Sequence, residues 1–244
     1  MQTLIDTLDS IVNKLAKDDA EQLRIRLGDL VSIYPFNEYE YIISHLLGLD
    51  AITLDEYYAI RDDYVSRNMY LYIFEISAPR GFGEQWAQGH LKELVPELEK
   101  PSKSTDDDYK GQYDFFLPNN NSGVKIEVKA SRAVDFKSRE ALYVKALAFD
   151  SEKRFDMNFQ QVKPKACDVF VWIAVWRDVI KYWVFSSDEV RDSKYYSIGQ
   201  HRGNVGEGQL HLNEKNIDEF AVYEVQPREL LSAIERAYER QNKM

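Results

Sequence analysis

The chain has 244 residues, is 44% hydrophobic and carries a formal net charge of −10; that length suits one domain of ordinary size or a catalytic domain with a helical appendage, and the composition allows a sizeable core. No apolar run reaches the length of a membrane span, and the opening stretch MQTLIDTLDSIVNKL reads as an amphipathic mixture of acids and bases, not as a signal peptide. A lone Cys167 excludes an internal disulfide, and the four histidines, His45, His90, His201 and His211, stand at no zinc-ligand spacing.

Residues 1–66 predict helices. Leu4, Leu8, Ile11, Val12 and Leu15 recur at helical spacing, 21–33 and 37–47 continue the pattern, and Gly48 is a natural stop. Thr53 ahead of Leu54-Asp55-Glu56 has the chemistry of an N-cap followed by acids in the first turn. The stretch 68–78 reads as either helix or strand, Ser77-Ala78-Pro79-Arg80-Gly81 breaks it, and a helix is expected over 83–94, ending near Pro96.

A polar loop over 101–109 precedes a change of period to two. Residues 113–117 and 124–130 read as strands joined by Pro118-Asn119-Asn120-Asn121-Ser122-Gly123, which is strong turn chemistry. A mostly helical connection is expected over 138–163. The continuous apolar run 169–176 predicts a buried central strand, with 180–185 returning beside it. Residues 199–209 form a glycine-rich polar loop, 220–225 a last strand and 228–241 a last helix. Cys167, beside the apolar run, is expected to be a buried thiol in a reducing cytoplasm; Trp172, Trp176 and Trp183 are expected in the core.

Along the strand from Val124, side chains alternate faces, so Val124, Ile126 and Val128 share the apolar face and Lys125, Glu127 and Lys129 the other. A hairpin symmetric about the Asn120–Asn121 bond places Leu117 opposite Val124 and Asp114 opposite Glu127. Directly opposed residues have Cβ atoms roughly 4.5–5.5 Å apart, so two carboxylates lie side by side with an ammonium two residues along. Adjacent carboxylates repel unless a cation or a proton is shared between them. Hard oxygen ligands suit Mg²⁺, which takes substrate phosphate oxygens as well, and a lysine beside it can orient a water and offset charge on phosphorus. Glu-x-Lys occurs once in the chain; Asp-x-Lys occurs three times, at Asp108, Asp135 and Asp192, none inside such a strand.

Asp114, thirteen residues before Glu127-Val128-Lys129, resembles the first acid of the PD-(D/E)xK nuclease motif, and its surroundings resemble type II restriction endonucleases over roughly residues 80–185. Tyr113 stands where that family often has proline. The resemblance implies an α/β fold with a central mixed sheet flanked by helices, preceded here by an N-terminal helical region (1–66, for dimerisation or DNA contact) ahead of a catalytic domain (67–244). It implies Asp114 and Glu127 as metal ligands, Lys129 as the base orienting the water, and Mg²⁺-dependent hydrolysis of double-stranded DNA to 5′-phosphate and 3′-hydroxyl ends. A homodimer, a companion DNA methyltransferase and a bacterial or archaeal cytoplasm follow from the same resemblance. Such nucleases often add an acid from the preceding helix; Glu84 is placed for that, and Glu75 is the competitor.

Although the chain is acidic, residues 121–165 carry ten Lys/Arg against six acids, a local surplus of positive charge compatible with a basic cleft. Arg132, just past Lys129, is a candidate phosphate contact; the nucleases that the motif resembles use a polar residue after the hairpin to touch the site or the DNA, a role this resemblance gives to Gln160 and Lys163. In the glycine-rich loop, Arg202, Asn204 and Gln209 carry side chains suited to base edges. Two other readings stay open on sequence: a nuclease of the same fold that recognises DNA structure in repair or recombination, and a non-catalytic binding module that keeps the fold.

Overall fold

The computed structural model describes residues 10–28, 35–118, 123–199 and 207–243. Leu4, Leu8, Arg202, Asn204 and the Asn119–Ser122 tip of the predicted hairpin lie outside the described residues. The chain divides into two compact units, Met1–Tyr72 and Ile73–Met244.

The first unit contains α1 (Lys17–Gly28), α2 (Pro35–Gly48) and α3 (Leu54–Arg67). Thr53 caps α3 through a reciprocal box: its hydroxyl accepts from the Glu56 N–H at 3.2 Å, while the Glu56 carboxylate accepts from the Thr53 N–H at 2.7 Å. Two orphan donors of the helix start are thereby satisfied. Leu23, Tyr39, Ile43, Leu46, Ile52 and Tyr64 form its buried core, with the Tyr39 and Tyr64 rings stacked 3.9 Å apart.

The second unit is a layered α/β structure. Its main sheet has five strands in the order β1 (Phe115–Leu117), β2 (Val124–Arg132), β4 (Val169–Val175), β5 (Ile180–Ser186) and β8 (Glu224–Val225). β2 and β4 run parallel and the other pairs antiparallel, so the sheet is mixed. β4 is the central strand that its apolar run predicts, and every one of its residues is buried. A second, antiparallel sheet has the order β3 (Asp156–Val162), β7 (Gly208–Asn213), β6 (Tyr196–Ile198).

Alternation sets the layers. Phe170, Trp172 and Ala174 of β4 share a face with Trp183 and Phe185 of β5, and that face meets Met157, Phe159 and Val162 of β3 and Leu210 and Leu212 of β7 in one aromatic core. Trp172 stacks on Phe159 at 4.5 Å and meets Phe185 at a tilt at 4.6 Å, so one ring joins both sheets. All three predicted core tryptophans are buried, and so is Cys167, whose thiol pKa burial pushes up. α5 (Ser187–Arg191) follows β5, and the terminal helix α6 (Leu230–Lys243) packs on β5 and β4 through Leu230, Ala233, Ile234 and Ala237.

Four predicted segments differ. The connection 138–163 is not helical: it turns after Ala141, Leu147 then donates to the Ala133 carbonyl at 3.0 Å and accepts from Arg177 at 3.0 Å, and the segment goes on to form β3. Long-range pairing here overrides the helix propensity of Ala141–Ala148. Most of the expected last strand, 220–225, is a 3₁₀ turn (Ile217–Tyr223), leaving Glu224 and Val225 to pair with β5. The helix expected over 83–94 begins as a π-helical turn, Gly81–Ala87, and becomes regular only in α4 (Gln88–Leu94). The glycine-rich loop ends earlier than its composition indicates, because Gly208 and Gln209 already belong to β7.

Candidate active site

The predicted hairpin register is the observed one: Leu117 pairs with Val124, Phe116 with Lys125 and Phe115 with Ile126. Gly123 makes the close approach possible, since a Cβ there would lie 1.6 Å from the Phe116 ring. The faces of β2 also alternate as expected, with Val124, Ile126 and Val128 buried and Lys125, Glu127 and Lys129 half-buried.

Asp114 sits one residue beyond the regular ladder of β1. Its N–H donates to the Ile126 carbonyl at 2.9 Å, and its Oδ2 accepts the Val128 N–H at 2.8 Å. The carboxylate thus replaces a main-chain acceptor at the frayed end of the strand. Its Oδ1 accepts from Nε2 of Gln88, on the first turn of α4, at 2.6 Å. Glu127 Oε1 lies 2.6 Å from Lys129 Nζ, and both side chains are only about one-sixth exposed. Asp114, Glu127 and Lys129 line one cleft of about 780 Å³, together with Glu84, Gln88, Gln160, Gln161 and Lys163.

The electrostatics follow from that crowding. Burial pushes the Asp114 pKa up, opposed by the Val128 N–H and by the charges of Lys129 and Lys100, while Glu84 pushes the same way as burial. Glu127 is pushed from the ordinary glutamate value of 4.5 to about 7, chiefly by burial and further by Asp114, with Lys129 pulling it down. Glu127 therefore holds its proton more tightly folded than unfolded. Its contribution to stability is complete below pH 4.5 and is lost as pH rises through about 7. In the presence of a chelator, the thermal midpoint of the wild-type protein should fall across that window more steeply than that of Glu127→Gln. Parallel melting curves for the two proteins would show that the acid pair is not under this strain.

Two oxygen-bearing acids that share a buried position suit a hard divalent cation. Each Asp114 oxygen takes one N–H and keeps further lone-pair capacity. Among the described residues no group of three or more His, Cys, Asp or Glu side chains gathers as a metal site; two carboxylates alone would hold Mg²⁺ only together with water or substrate oxygens.

The remaining predicted residues are distributed as follows. Glu84 lines the cleft from the π-helical turn, largely exposed, with its carboxylate 3.7 Å from Arg80. Glu75, its competitor, has a buried Oε1 with no hydrogen-bond partner and does not line the cleft. Arg132 is occupied internally: Nη1 donates to the carbonyls of Ile73 and Ile76 at 3.1 and 2.7 Å, its guanidinium lies 4.1 Å from the Phe82 ring centre, and burial lowers its pKa to about 10. Gln160 faces the cleft beside Gln161, whose φ of 55° marks an irregularity in β3. Lys163 also lines the cleft and pairs with Glu207 at 2.8 Å. Gln209 is turned toward β3, accepting from Asn158 at 3.1 Å.

Sequence reasoning missed Gln88. A stack of rings fixes its helix, with Phe82, Trp86 and His90 following one another at 5.4 and 5.2 Å and His90 meeting Tyr182 of β5 at 5.9 Å. The spacing of those three rings was legible in the chain; the π-helical turn Gly81–Ala87 ahead of Gln88 was not. Comparison with protein-family models, with curated proteins and with solved structures found no match to this chain.

Proposed function

We propose that the chain is a Mg²⁺-dependent, sequence-specific endonuclease of double-stranded DNA, of the restriction type and with the restriction-endonuclease-like fold that its motif resembles. The observation that carries this reading is that Asp114 and Glu127 line one cleft, near enough for the Asp114 charge to raise the Glu127 pKa, with Lys129 paired to Glu127 on the same strand face. An acid pair this desolvated is costly in a purely structural role and is what a cation site requires.

In this reading Asp114 and Glu127 hold the cation, which when bound polarises the phosphodiester and makes an attacking water more acidic. Val128 and Gln88 keep the Asp114 carboxylate in one orientation. Lys129 orients the water, takes up part of its developing negative charge and offsets charge on the phosphoryl oxygens. Lys163, across the cleft, offers a phosphate contact once a substrate oxygen displaces Glu207. Cutting both strands of a symmetric site calls for two such centres, hence a homodimer, and a host using the enzyme needs a companion methyltransferase to protect its own sites.

The decisive experiment is incubation of unmethylated plasmid and phage DNA with the protein, with Mg²⁺ and with chelator. Discrete fragments bearing 5′-phosphates, formed only with Mg²⁺, are expected. Preferential cutting of branched or damaged DNA would replace the restriction role by a repair role, and intact DNA under all conditions would remove the nuclease assignment.

A further inference from the structure

The carboxylate of Asp114 is the end of a chain of donors that begins outside the acid–lysine trio. Lys100 Nζ donates to Gln88 Oε1 at 2.5 Å, and Gln88 Nε2 donates to Asp114 Oδ1 at 2.6 Å. The orientation of the Gln88 amide is set by chemistry. An ammonium has only donors, so it must face the amide oxygen, and the amide N–H is then left for the acid. Lys100 is itself placed by the fold: Glu99 exchanges backbone hydrogen bonds with Phe116 at 2.8 and 2.9 Å, and the Lys100 ammonium lies 4.2 Å from the centre of the Phe115 ring. A cation that donates to the amide oxygen polarises the amide and strengthens its N–H as a donor.

From this geometry we infer that Lys100 and Gln88 form a positioning relay that holds Asp114 in its cation-binding orientation, so that the affinity of the acid pair for a divalent ion depends on two residues that do not touch the ion. The inference rests on the cation-dependent reading given above and deepens it. With the Val128 N–H on Oδ2, the relay fixes the second oxygen and removes the carboxylate's rotational freedom before any ion arrives. Gln88 is a positioning residue, and the hydrogen-bonded link from Lys100 to the acid runs through it.

The test is direct binding of Mn²⁺ to the full chain without DNA, followed by the electron paramagnetic resonance of the free ion. Gln88→Met, which keeps the side-chain length and removes both amide groups, should weaken binding by about 10-fold or more. Lys100→Met should weaken it severalfold in the wild-type background and not weaken it further in the Gln88→Met background, while Lys100→Arg should restore it. Lys100 is exposed, so its variants test the relay even if Gln88→Met proves unstable. Wild-type affinity in Gln88→Met, or the same loss for Lys100→Met in both backgrounds, overturns the relay alone. Absence of any Mn²⁺ binding weakened by Asp114→Ala in the wild-type chain overturns both the relay and the nuclease reading.

Discussion

In the proposed nuclease, replacing Lys129 with alanine is expected to lower the Mg²⁺-dependent cleavage rate by about 10²–10³-fold, the range typical of losing one positioned charge-stabilising donor. The side chain is nearly buried and its ion pair is with Glu127. Its removal has two consequences that can be separated. The attacking water loses its orienting ammonium, which lowers the single-turnover rate at every pH. Glu127 also loses the charge that pulls its pKa down, so the pH at which activity appears should move in the alkaline direction. Lys129→Arg keeps the charge but replaces a compact ammonium with a planar fork, and it should recover the pH behaviour better than the rate. A Lys129→Ala protein that cuts DNA at the wild-type rate would refute the assigned role.

The second large effect concerns the fold. Trp172→Ala should destabilise the Ile73–Met244 unit by about 3–5 kcal/mol, the usual cost of emptying a buried tryptophan site. The ring is fully buried on the central strand and bridges Phe159 of β3 and Phe185 of β5. Its Nε1 has no hydrogen-bond partner, so truncation breaks no polar bond and the loss is one of packing. Trp172→Phe, which also discards the unpartnered N–H, should cost much less. All four tryptophans lie in this unit, so their fluorescence in a urea titration reports its unfolding without interference from the N-terminal helices. A shift of the midpoint in Trp172→Ala no larger than in Trp172→Phe would show that the two sheets do not depend on this ring.

How much was legible in the chain depended on how local the determining interaction is. The hairpin that builds the acid pair could be read because its register follows from a turn six residues long between two alternating strands. The central strand could be read because burial on both faces leaves an unbroken apolar run. The connection 138–163 could not, because its backbone partners, Ala133 and Arg177, lie outside the segment. Its last part did carry a signal: Met157 and Phe159 alternate with Asp156, Asn158 and Gln160 at strand period. Arg132 looked like a surface cation in sequence, yet its carbonyl partners Ile73 and Ile76 precede it by more than fifty residues. Gln88 carries no such signal, because the residue that reaches Asp114 is a neutral amide with nothing in its local sequence to set it apart.

The face of the main sheet that carries Phe170, Trp172 and Phe185 is also the face that carries Glu127 and Lys129, since β2 and β4 pair Glu127 with Phe170 and Lys129 with Trp172. An oily interior and an ionic trio therefore share one pleated surface, and the local permittivity felt by the acids is set by rings one strand away. Loosening the Phe159–Trp172 stack would admit solvent toward β2, ease ionisation of both carboxylates and relax their demand for a neutralising ion. Substitutions chosen only for heat tolerance in that aromatic layer would shift the ionisation of acids they never touch.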